Sequence, residues 1–312
     1  METPRRFTAY HLLRRFHVSD KCQQIKFFTA MAYFQTKGVA IVTGSAGGIG
    51  QGAANALAAA GATAIAFVDI DPARLQAAAE ESKKYAIDPN YRSKAYAVNI
   101  TDTEAVKQMI EDVVKEFGSI DYLVHSAGID QQSYLPIPQN SMEDYDTVMD
   151  VNAKDTLIID RAVASIMITQ ERRSFTTSSG TQRDLGKGVI VNVTSAASFA
   201  GIPGKVQYCA SKHAALGITR TLALDLAPEG IRVNALCPTW VATPMHEGEK
   251  AKFPPVGDLL RKLVSLGRIA EVDEVGNSAV YLCSPAASYV TGQALTLDGG
   301  LLAGPNIAGL MA

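Results

Sequence analysis

The segment Thr43-Gly44-Ser45-Ala46-Gly47-Gly48-Ile49-Gly50 decides the fold class of this chain. It follows the short apolar run Val39–Thr43, which has the length and composition of a buried β-strand. A helical pattern extends from Gly48 to Ala60, and Gly61 follows at a position where helices end. Glycines let the backbone of such a turn approach phosphate groups, and the helix N-terminus offers free N–H groups and a positive dipole. The segment therefore predicts a site for the pyrophosphate of a dinucleotide.

Strand and helix patterns alternate along the chain from Lys37 onward. Pro72 opens a second helix at a position where proline is tolerated. A stretch of low hydrophobicity, Glu171–Lys187, predicts a long surface loop. The alternation predicts an α/β fold with a Rossmann-type doubly wound parallel sheet, in a single domain over residues 37–312. Further strands are predicted at Ala64–Val68, Lys94–Val98, Ile120–His125, Gly188–Val193, Arg232–Leu236 and Ala294–Leu297.

Composition excludes several classes of partner. Of the 312 residues, 47% are hydrophobic and 19% charged, and the formal net charge of −2 argues against a nucleic-acid or anionic-membrane partner. No run of 18 uninterrupted apolar residues predicts a transmembrane helix. The four cysteines lie far apart without a CxxC pair, which argues against a structural zinc site and a disulfide framework. We therefore expect no metal and a small-molecule substrate.

The first 36 residues form a basic N-terminal extension. Residues 1–30 carry six Lys or Arg and two acids, with apolar side chains between them, a composition typical of mitochondrial transit peptides. The segment Arg14-Arg15-Phe16-His17-Val18-Ser19 also resembles a mitochondrial processing site. A disordered tail, or an upstream start codon ahead of Met31, explains the same composition. We expect a cytoplasmic protein, with the mitochondrial matrix as the alternative if residues 1–30 are a transit peptide.

Asp69 ends the second strand, 19 residues after Gly50. A carboxylate at this position can accept hydrogen bonds from the adenosine ribose and would repel a 2′-phosphate, and Asp71 adds to that repulsion. No Arg or Lys lies between Ser45 and Gly50, or at the end of the second strand, to receive such a phosphate. The pattern therefore predicts NAD in preference to NADP. The alternative is that Asp69 caps the following helix.

Tyr208 and Lys212 form a Tyr-x-x-x-Lys element on a predicted helix. Residues four apart share one helix face, and a neighbouring lysine favours tyrosinate, so the phenol can act as a general acid or base. Ser195 lies just past the strand Gly188–Val193, where the carboxyl ends of parallel strands line a ligand crevice. A hydroxyl at this point can bind a substrate oxygen, and Thr194 and Ser198 are the alternatives to Ser195.

These motifs together resemble the classical short-chain dehydrogenase/reductase family over Lys37–Leu301. The resemblance rests on TGxxxGxG, Ser195 with Tyr-x-x-x-Lys, Asn152 in Val-Asn-Ala-Lys, Arg232-Val-Asn-Ala-Leu-Cys-Pro238 and Asp298-Gly-Gly300. It implies hydride transfer between NAD(H) and a secondary alcohol or ketone of a small molecule. It also implies that Ser195 polarises the substrate oxygen, Tyr208 is the acid/base, Lys212 lowers the Tyr208 pKa and binds ribose, and Asn152 holds a water of a proton relay.

The same resemblance implies a set of cofactor-binding residues, with some departures from the family pattern. His125-Ser126 replaces Asn-Asn, Asn99 replaces an aspartate and Thr239 replaces a glycine. His125 is either a packed strand residue or a base, and Cys209 is either a packed residue or a redox switch. The implied residues are Gly44, Ser45, Gly48, Ile49, Gly50, Asp69, Asn99, Ile100, Ser126, Ala127, Gly128, Tyr208, Lys212, Pro238, Val241 and Thr243.

A competing hypothesis is a non-catalytic NAD-binding scaffold or redox sensor on the same fold. The complete set of Ser195, Tyr208, Lys212 and Asn152 favours the enzyme, since a sensor does not need all four. The segment Trp240–Leu266 is expected to close the substrate pocket, and its mixture of apolar and polar residues does not select a substrate.

The helix predicted over Val206–Leu226 is apolar on most sides, which indicates burial on both faces. A homodimer or homotetramer is therefore predicted, with an isologous contact at this helix and a second interface near Gly299–Ala312. The family resemblance implies the same. The alternative is that the preceding helix, about Thr156–Thr169, covers the free side within one subunit.

Overall fold

A computed structural model describes residues 32–306 of the protein. Their core is a seven-stranded sheet in the order β3-β2-β1-β4-β7-β8-β9, with every neighbouring pair parallel. The sheet order reverses between β1 and β4, and this switch point is where doubly wound folds bind ligands. The predicted fold class is confirmed. The strands are β1 Val39–Thr43, β2 Ala64–Asp69, β3 Arg92–Ala97, β4 Tyr122–His125, β7 Gly188–Val193, β8 Ile231–Pro238 and β9 Ala294–Leu297.

Helices cover both faces of the sheet because its central strands are apolar on both sides. Val42 of β1 faces a core that includes Leu57 and Val275, whereas the adjacent Ile41 faces a core that includes Val106 and Ile159. The helices are α1 Gly48–Ala59, α2 Pro72–Ser82, α3 Thr103–Phe117, α4 Met142–Met149, α5 Asp155–Met167, α6 Val206–Leu226, α7 Pro244–Lys252, α8 Val256–Leu263 and α9 Val272–Cys283.

The capping residue of α2 is Asp71, not Asp69. The Asp71 carboxylate accepts hydrogen bonds from the backbone N–H groups of Ala73 and Arg74, each at 3.1 Å. Asp71 therefore satisfies the free N–H groups at the start of the helix, as N-terminal caps do. The alternative role of Asp69 as the helix cap is wrong, and its carboxylate is directed instead toward the glycine-rich turn.

The segment predicted as a surface loop contains a hairpin. Strands β5 (Arg173–Thr176) and β6 (Gln182–Gly186) pair antiparallel, and the tip closes through a 2.9 Å bond from the Thr177 N–H to the Thr181 carbonyl. Phe175 packs its ring 4.9 Å from that of Tyr33. The hairpin lies outside the two cores, so the usual alternation of apolar and polar residues is missing from its sequence, and the loop prediction was wrong for this reason.

The predicted closing segment folds into α7 and α8, which lie beyond the carboxyl end of β8. Within residues 32–306, no helix combines the length and apolar character needed to cross a bilayer. The predicted basic extension lies largely outside the described residues, since it ends at residue 36 and the description starts at 32.

Candidate active site

A cavity of about 830 Å³ opens at the carboxyl ends of the central strands. Fifteen of the sixteen predicted cofactor residues line it, and so do the catalytic candidates Ser195, Tyr208 and Lys212. The glycine-rich turn is at one end of the cavity, and α7 is at the other. The topology therefore brings the two groups of predicted residues together in one site.

The turn after β1 accepts only glycine at its closest approaches. Gly44 has φ +65°, and a Cβ there would lie 2.7 Å from the backbone N of Ala127. A Cβ on Gly50 would lie 2.2 Å from the carbonyl oxygen of Gly44. The backbone therefore comes close to the cavity, with the first turn of α1 beside it, and the residues fit a dinucleotide whose pyrophosphate lies on the turn.

Ser45 is the one predicted cofactor residue that does not line the cavity. Its side chain is fully buried, and its Oγ accepts a 2.9 Å bond from the Val68 N–H. The hydroxyl also donates to the Val68 carbonyl at 3.3 Å. Ser45 therefore fixes the glycine-rich turn to β2, and its role as a cofactor-binding residue stays a prediction.

The Asp69 carboxylate lies at the edge of the cavity and is held by backbone N–H groups. It accepts bonds from Ala46 at 3.1 Å, from Ile70 at 2.7 Å and from Asp71 at 3.3 Å. Asp69 thus connects the turn after β1 to the end of β2, and its binding of the ribose stays a prediction.

Arg74 is a cavity residue that the sequence prediction missed. It lies in the first turn of α2, and its Nη2 is 2.6 Å from the place where a Cβ of Gly47 would be. Arg74 lies outside the glycine-rich turn and the strand end, the two places where the sequence prediction expected a cation for a 2′-phosphate. The first helical turn of α2 also faces the glycine-rich segment. The spacing Asp69-x-x-x-x-Arg74 was therefore the sequence signal for a cation at the cavity.

Ser195 and Tyr208 both line the cavity, and the Ser195 hydroxyl acts to lower the pKa of Tyr208. Ser195 Oγ donates to the Pro238 carbonyl at 3.5 Å. Ser195 Oγ also accepts a 3.1 Å bond from the Ala197 N–H, which orients the hydroxyl. The two alternatives are occupied elsewhere, since Thr194 Oγ1 lies 3.0 Å from Cys237 Sγ and Ser198 Oγ donates to the Lys212 carbonyl at 2.8 Å. Ser195 is therefore favoured over the two alternatives, and its binding of a substrate oxygen stays a prediction.

Lys212 lies near the Tyr208 ring and is tied to the end of β7. Its Nζ is 5.7 Å from the ring centroid of Tyr208 and donates a 3.3 Å bond to the Val193 carbonyl. Burial lowers the pKa of Lys212 to about 8. A Cβ on Gly128 would lie 3.4 Å from this ammonium group, so the glycine leaves it open to the cavity.

Burial raises the pKa of Tyr208 above its ordinary value, and the Ser195 hydroxyl opposes this rise. Desolvation disfavours the charged phenolate more than the Ser195 hydroxyl favours it. Lys212 is not among the causes of this shift, so its effect on the Tyr208 pKa stays a prediction. Tyr208 is therefore held as a phenol, with its proton available to an acceptor in the cavity.

Asn152 lies in a π-helical turn, Asp150–Lys154, between α4 and α5. Its side chain accepts a 2.8 Å bond from the Ile129 N–H and donates to the Ile129 carbonyl at 2.9 Å. It also donates to Ser211 Oγ at 3.1 Å. These bonds join the loop after β4 to α6. Asn152 does not line the cavity, and its role in a proton relay stays a prediction.

His125 is packed behind the cavity, in agreement with the alternative that it is a packed strand residue rather than a base. It is 2% exposed, its Nδ1 lies 2.8 Å from Thr43 Oγ1, and its Nε2 lies 3.7 Å from Asp155 Oδ1. Asp160 is also fully buried and accepts a 2.7 Å bond from Asn192. These four residues, His125, Asp155, Asp160 and Asn192, form a buried acid cluster beneath the switch point. His125 does not line the cavity, which argues against its role as a base.

Cys209 is packed between charged neighbours. It is buried, and desolvation raises the pKa of its thiol, so the reactive thiolate is disfavoured. The redox-switch hypothesis therefore has no support from its surroundings.

A second group of charged residues, missed by the sequence prediction, lies beside Tyr208 at the α7 end of the cavity. Lys205 donates a 2.7 Å bond to Glu249 and lies 3.7 Å from Asp130. His246 Nδ1 lies 3.4 Å from Glu249 Oε2, and Lys252 Nζ lies 3.5 Å from Asp130 Oδ2. This polar cluster unites three segments that are distant in sequence, so no local motif indicated it.

The fold and the Ser195–Tyr208 pair define a class of protein, the oxidoreductases that work with a nicotinamide dinucleotide. A family model described as Enoyl-(Acyl carrier protein) reductase matches residues 44–302. With this match, the chain belongs to the short-chain dehydrogenase/reductase family, as its motifs predicted.

The relatives of this chain differ in what they act on. It is 38% identical over 266 residues to the short-chain dehydrogenase anuF of Penicillium roqueforti, covering 85% of this chain and 96% of that one. It is 35% identical over 262 residues to the D-threitol dehydrogenase of Mycolicibacterium smegmatis, covering 84% and 92%. The structure of 3-oxoacyl-[acyl-carrier protein] reductase from Brucella melitensis in complex with NAD has a TM-score of 0.74 and 29% identity, covering 86% and 98%.

Proposed function

We propose that the protein interconverts a ketone and a secondary alcohol of a small molecule, with Tyr208 as the general acid or base and NAD(H) as the preferred cofactor. The observation that carries this proposal is that Ser195, Tyr208 and Lys212 line the same cavity as the glycine-rich turn. The nicotinamide, when bound, donates or accepts the hydride. The residues of the chain bind, orient and move the proton.

A protonated Tyr208 is in the state that the reduction of a ketone requires. Burial keeps the phenol protonated, and a phenol donates to the developing alkoxide as the carbonyl is reduced. Ser195 supplies a second donor to the same oxygen, which stabilises its negative charge. The opening beside Gly128 leaves the Lys212 ammonium group accessible from the cavity, which supports its role in binding the ribose. The name of the structurally similar 3-oxoacyl-[acyl-carrier protein] reductase supports this direction.

An absorbance assay at the NADH wavelength tests the proposal directly. We expect purified protein to oxidise NADH with members of a ketone panel and to reduce NAD with the matching alcohols. An enoyl thioester serves as the comparison substrate, because the matching family model carries the description of an enoyl reductase. Tight NAD binding without turnover of any ketone, alcohol or enoyl compound would instead support the scaffold or sensor.

We expect the preference for NAD over NADP to depend on the opposing charges of Asp69 and Arg74. We expect Asp69→Asn to raise the ratio of kcat/KM for NADPH over NADH about tenfold, because the negative charge disappears while an oxygen that can accept from Ala46 is kept. Steady-state kinetics with both cofactors measure the ratio. In the Asp69→Asn background, Arg74→Met should reverse the gain, since Arg74 is the cation next to the turn. Wild-type preference for NADPH would contradict the assignment of Asp69.

Assembly into a dimer or tetramer stays a prediction. Helix α5 packs beside α6, as the single-subunit alternative requires, yet Leu224 of α6 is 77% exposed and Leu157 of α5 is 46% exposed. Apolar side chains exposed on adjacent helices favour an isologous contact. We expect sedimentation at micromolar concentration to give two or four times the chain mass of 33.2 kDa. A single species at the chain mass would contradict the prediction.

A further inference from the structure

The polar cluster presents one imidazole to the substrate end of the cavity. His246 and Glu249 lie three residues apart on α7, so their side chains share one face of the helix. They are only 4% and 7% exposed, and both line the cavity. Polar side chains as deeply buried as these two need hydrogen-bond partners. The described residues supply such partners for Glu249 and for one nitrogen of His246.

Glu249 fixes the orientation of the His246 ring. Its Oε2 lies 3.4 Å from His246 Nδ1, while its Oε1 accepts a 2.7 Å bond from Lys205. Lys205 immediately precedes α6, and its Nζ is 5.5 Å from the ring centroid of Tyr208. The three residues therefore form a chain of contacts from the neighbourhood of the acid/base to the imidazole.

The other nitrogen of His246, Nε2, has no hydrogen-bond partner among the described residues. This nitrogen is not one of the buried polar atoms that lack both a partner and contact with solvent. It is therefore accessible from the cavity that His246 lines. A ring whose Nδ1 donates its proton to Glu249 presents Nε2 as an acceptor. A ligand that supplies an O–H group to this atom satisfies it, whereas a ligand without one leaves it unpaired at a cost.

The charges of the polar cluster favour a neutral ligand. Lys205 and Lys252 are balanced by Asp130 and Glu249, so the cluster has no excess cation for a substrate carboxylate. The rest of this end of the cavity is mostly apolar. Its apolar lining includes Trp240, Met245, Leu259 and Leu263.

We infer that His246 Nε2 accepts a hydrogen bond from a substrate hydroxyl other than the one that reacts, and that the preferred substrates are hydroxylated ketones with a largely apolar skeleton. Glu249 and Lys205 are positioning residues that hold the imidazole. The inference rests on the proposed function, and it adds the substrate class to the reaction.

Matched ketones test this inference on the wild-type protein. The test compounds are 1-tetralones that differ only in one substituent, which is hydroxyl, methoxy or hydrogen, at a ring position remote from the ketone. The methoxy and unsubstituted compounds keep the ring skeleton but lack the O–H group that would donate to His246. At one position at least, we expect kcat/KM for the hydroxyl compound to exceed that of the methoxy and unsubstituted compounds about tenfold, the usual value of one hydrogen bond. The shift in Tm that each ketone causes in the NAD-loaded protein gives a readout independent of turnover.

Three variants assign the effect to the imidazole. His246→Met removes the acceptor at similar length and should abolish the preference for the hydroxyl compound. His246→Gln keeps a distal oxygen that can accept, and should restore part of it. His213→Met is the matched control, because His213 lies on α6, is exposed and does not line the cavity. It should leave the preference unchanged.

The outcomes separate the inference from the proposed function. Equal turnover of hydroxyl, methoxy and unsubstituted ketones at every position overturns the inference and leaves the proposed function standing. A preference for hydroxyl that survives His246→Met also overturns it. A hydroxyl-dependent Tm shift that is lost in His246→Met supports the binding role even where turnover is slow. Absence of both turnover and Tm shift across the panel rejects this substrate class and the inference with it.

Discussion

Replacing Tyr208 with phenylalanine should lower kcat by about 10²-fold or more, the usual contribution of a positioned acid or base. The substitution removes one oxygen and its proton while keeping the ring that packs near Lys205 and Lys212. Ser195 remains to polarise the substrate carbonyl, so residual activity is expected. The affinity for NAD should change little, because the phosphate turn and Asp69 are untouched. Single-turnover absorbance and a fluorescence titration with NADH measure the two quantities separately.

Tyr289→Phe is the matched control for this experiment. Tyr289 is fully exposed, so the same loss of a hydroxyl should leave both kcat and NAD affinity unchanged. Near-normal turnover in the Tyr208→Phe protein would reject Tyr208 as the acid/base. A parallel loss of NAD binding would show that the hydroxyl acts on the cofactor rather than on the substrate.

Local patterns in the sequence predicted the parts of the structure that depend on neighbouring residues. The turn after β1 needs glycine at Gly44 and Gly50 because of close backbone contacts, and these contacts are set within one strand-turn-helix unit. Strands buried on both faces show as short apolar runs, so the bounds of β1 and β7 were predicted correctly. The helix α6 was also predicted with its observed ends, Val206 and Leu226.

Features that depend on contacts between distant segments were not predictable in this way. The side chain of Ser45 bonds to β2, although its place in the motif suggested the cofactor. Asp130, Lys205 and Glu249 come from three separate loops or helices, and only folding brings their charges together. The direction of the Tyr208 pKa shift depends on burial, which spacing along a helix does not reveal.

The buried acid cluster is another feature that only the fold reveals. Asp155, Asp160 and Asn192 each have at least one buried oxygen without a hydrogen-bond partner in the described structure, and His125 Nε2 is in the same state. Burial raises the pKa of Asp160 from 3.8 to about 7, with the Asp155 charge adding to the rise and His125 and Asn192 opposing it. The folded protein therefore binds a proton at Asp160 that the unfolded chain has released by neutral pH.

Stability should consequently fall as the pH rises through 7, and Asp160→Asn should remove much of that fall. A raised carboxyl pKa means that the folded state binds more protons than the unfolded state between about pH 4 and 7, so its advantage is lost as Asp160 ionises. From pH 5 to 8 the loss should be about 2 to 3 kcal/mol in the free energy of unfolding, at about 1.4 kcal/mol per pKa unit. Urea titrations across this range measure it. In the asparagine variant the side chain stays neutral and keeps an oxygen for the Asn192 amide. Asp112→Asn, on the exposed face of α3, is the control and should retain the wild-type slope. Equal pH slopes in the wild type and in Asp160→Asn would show that Asp160 does not control this dependence.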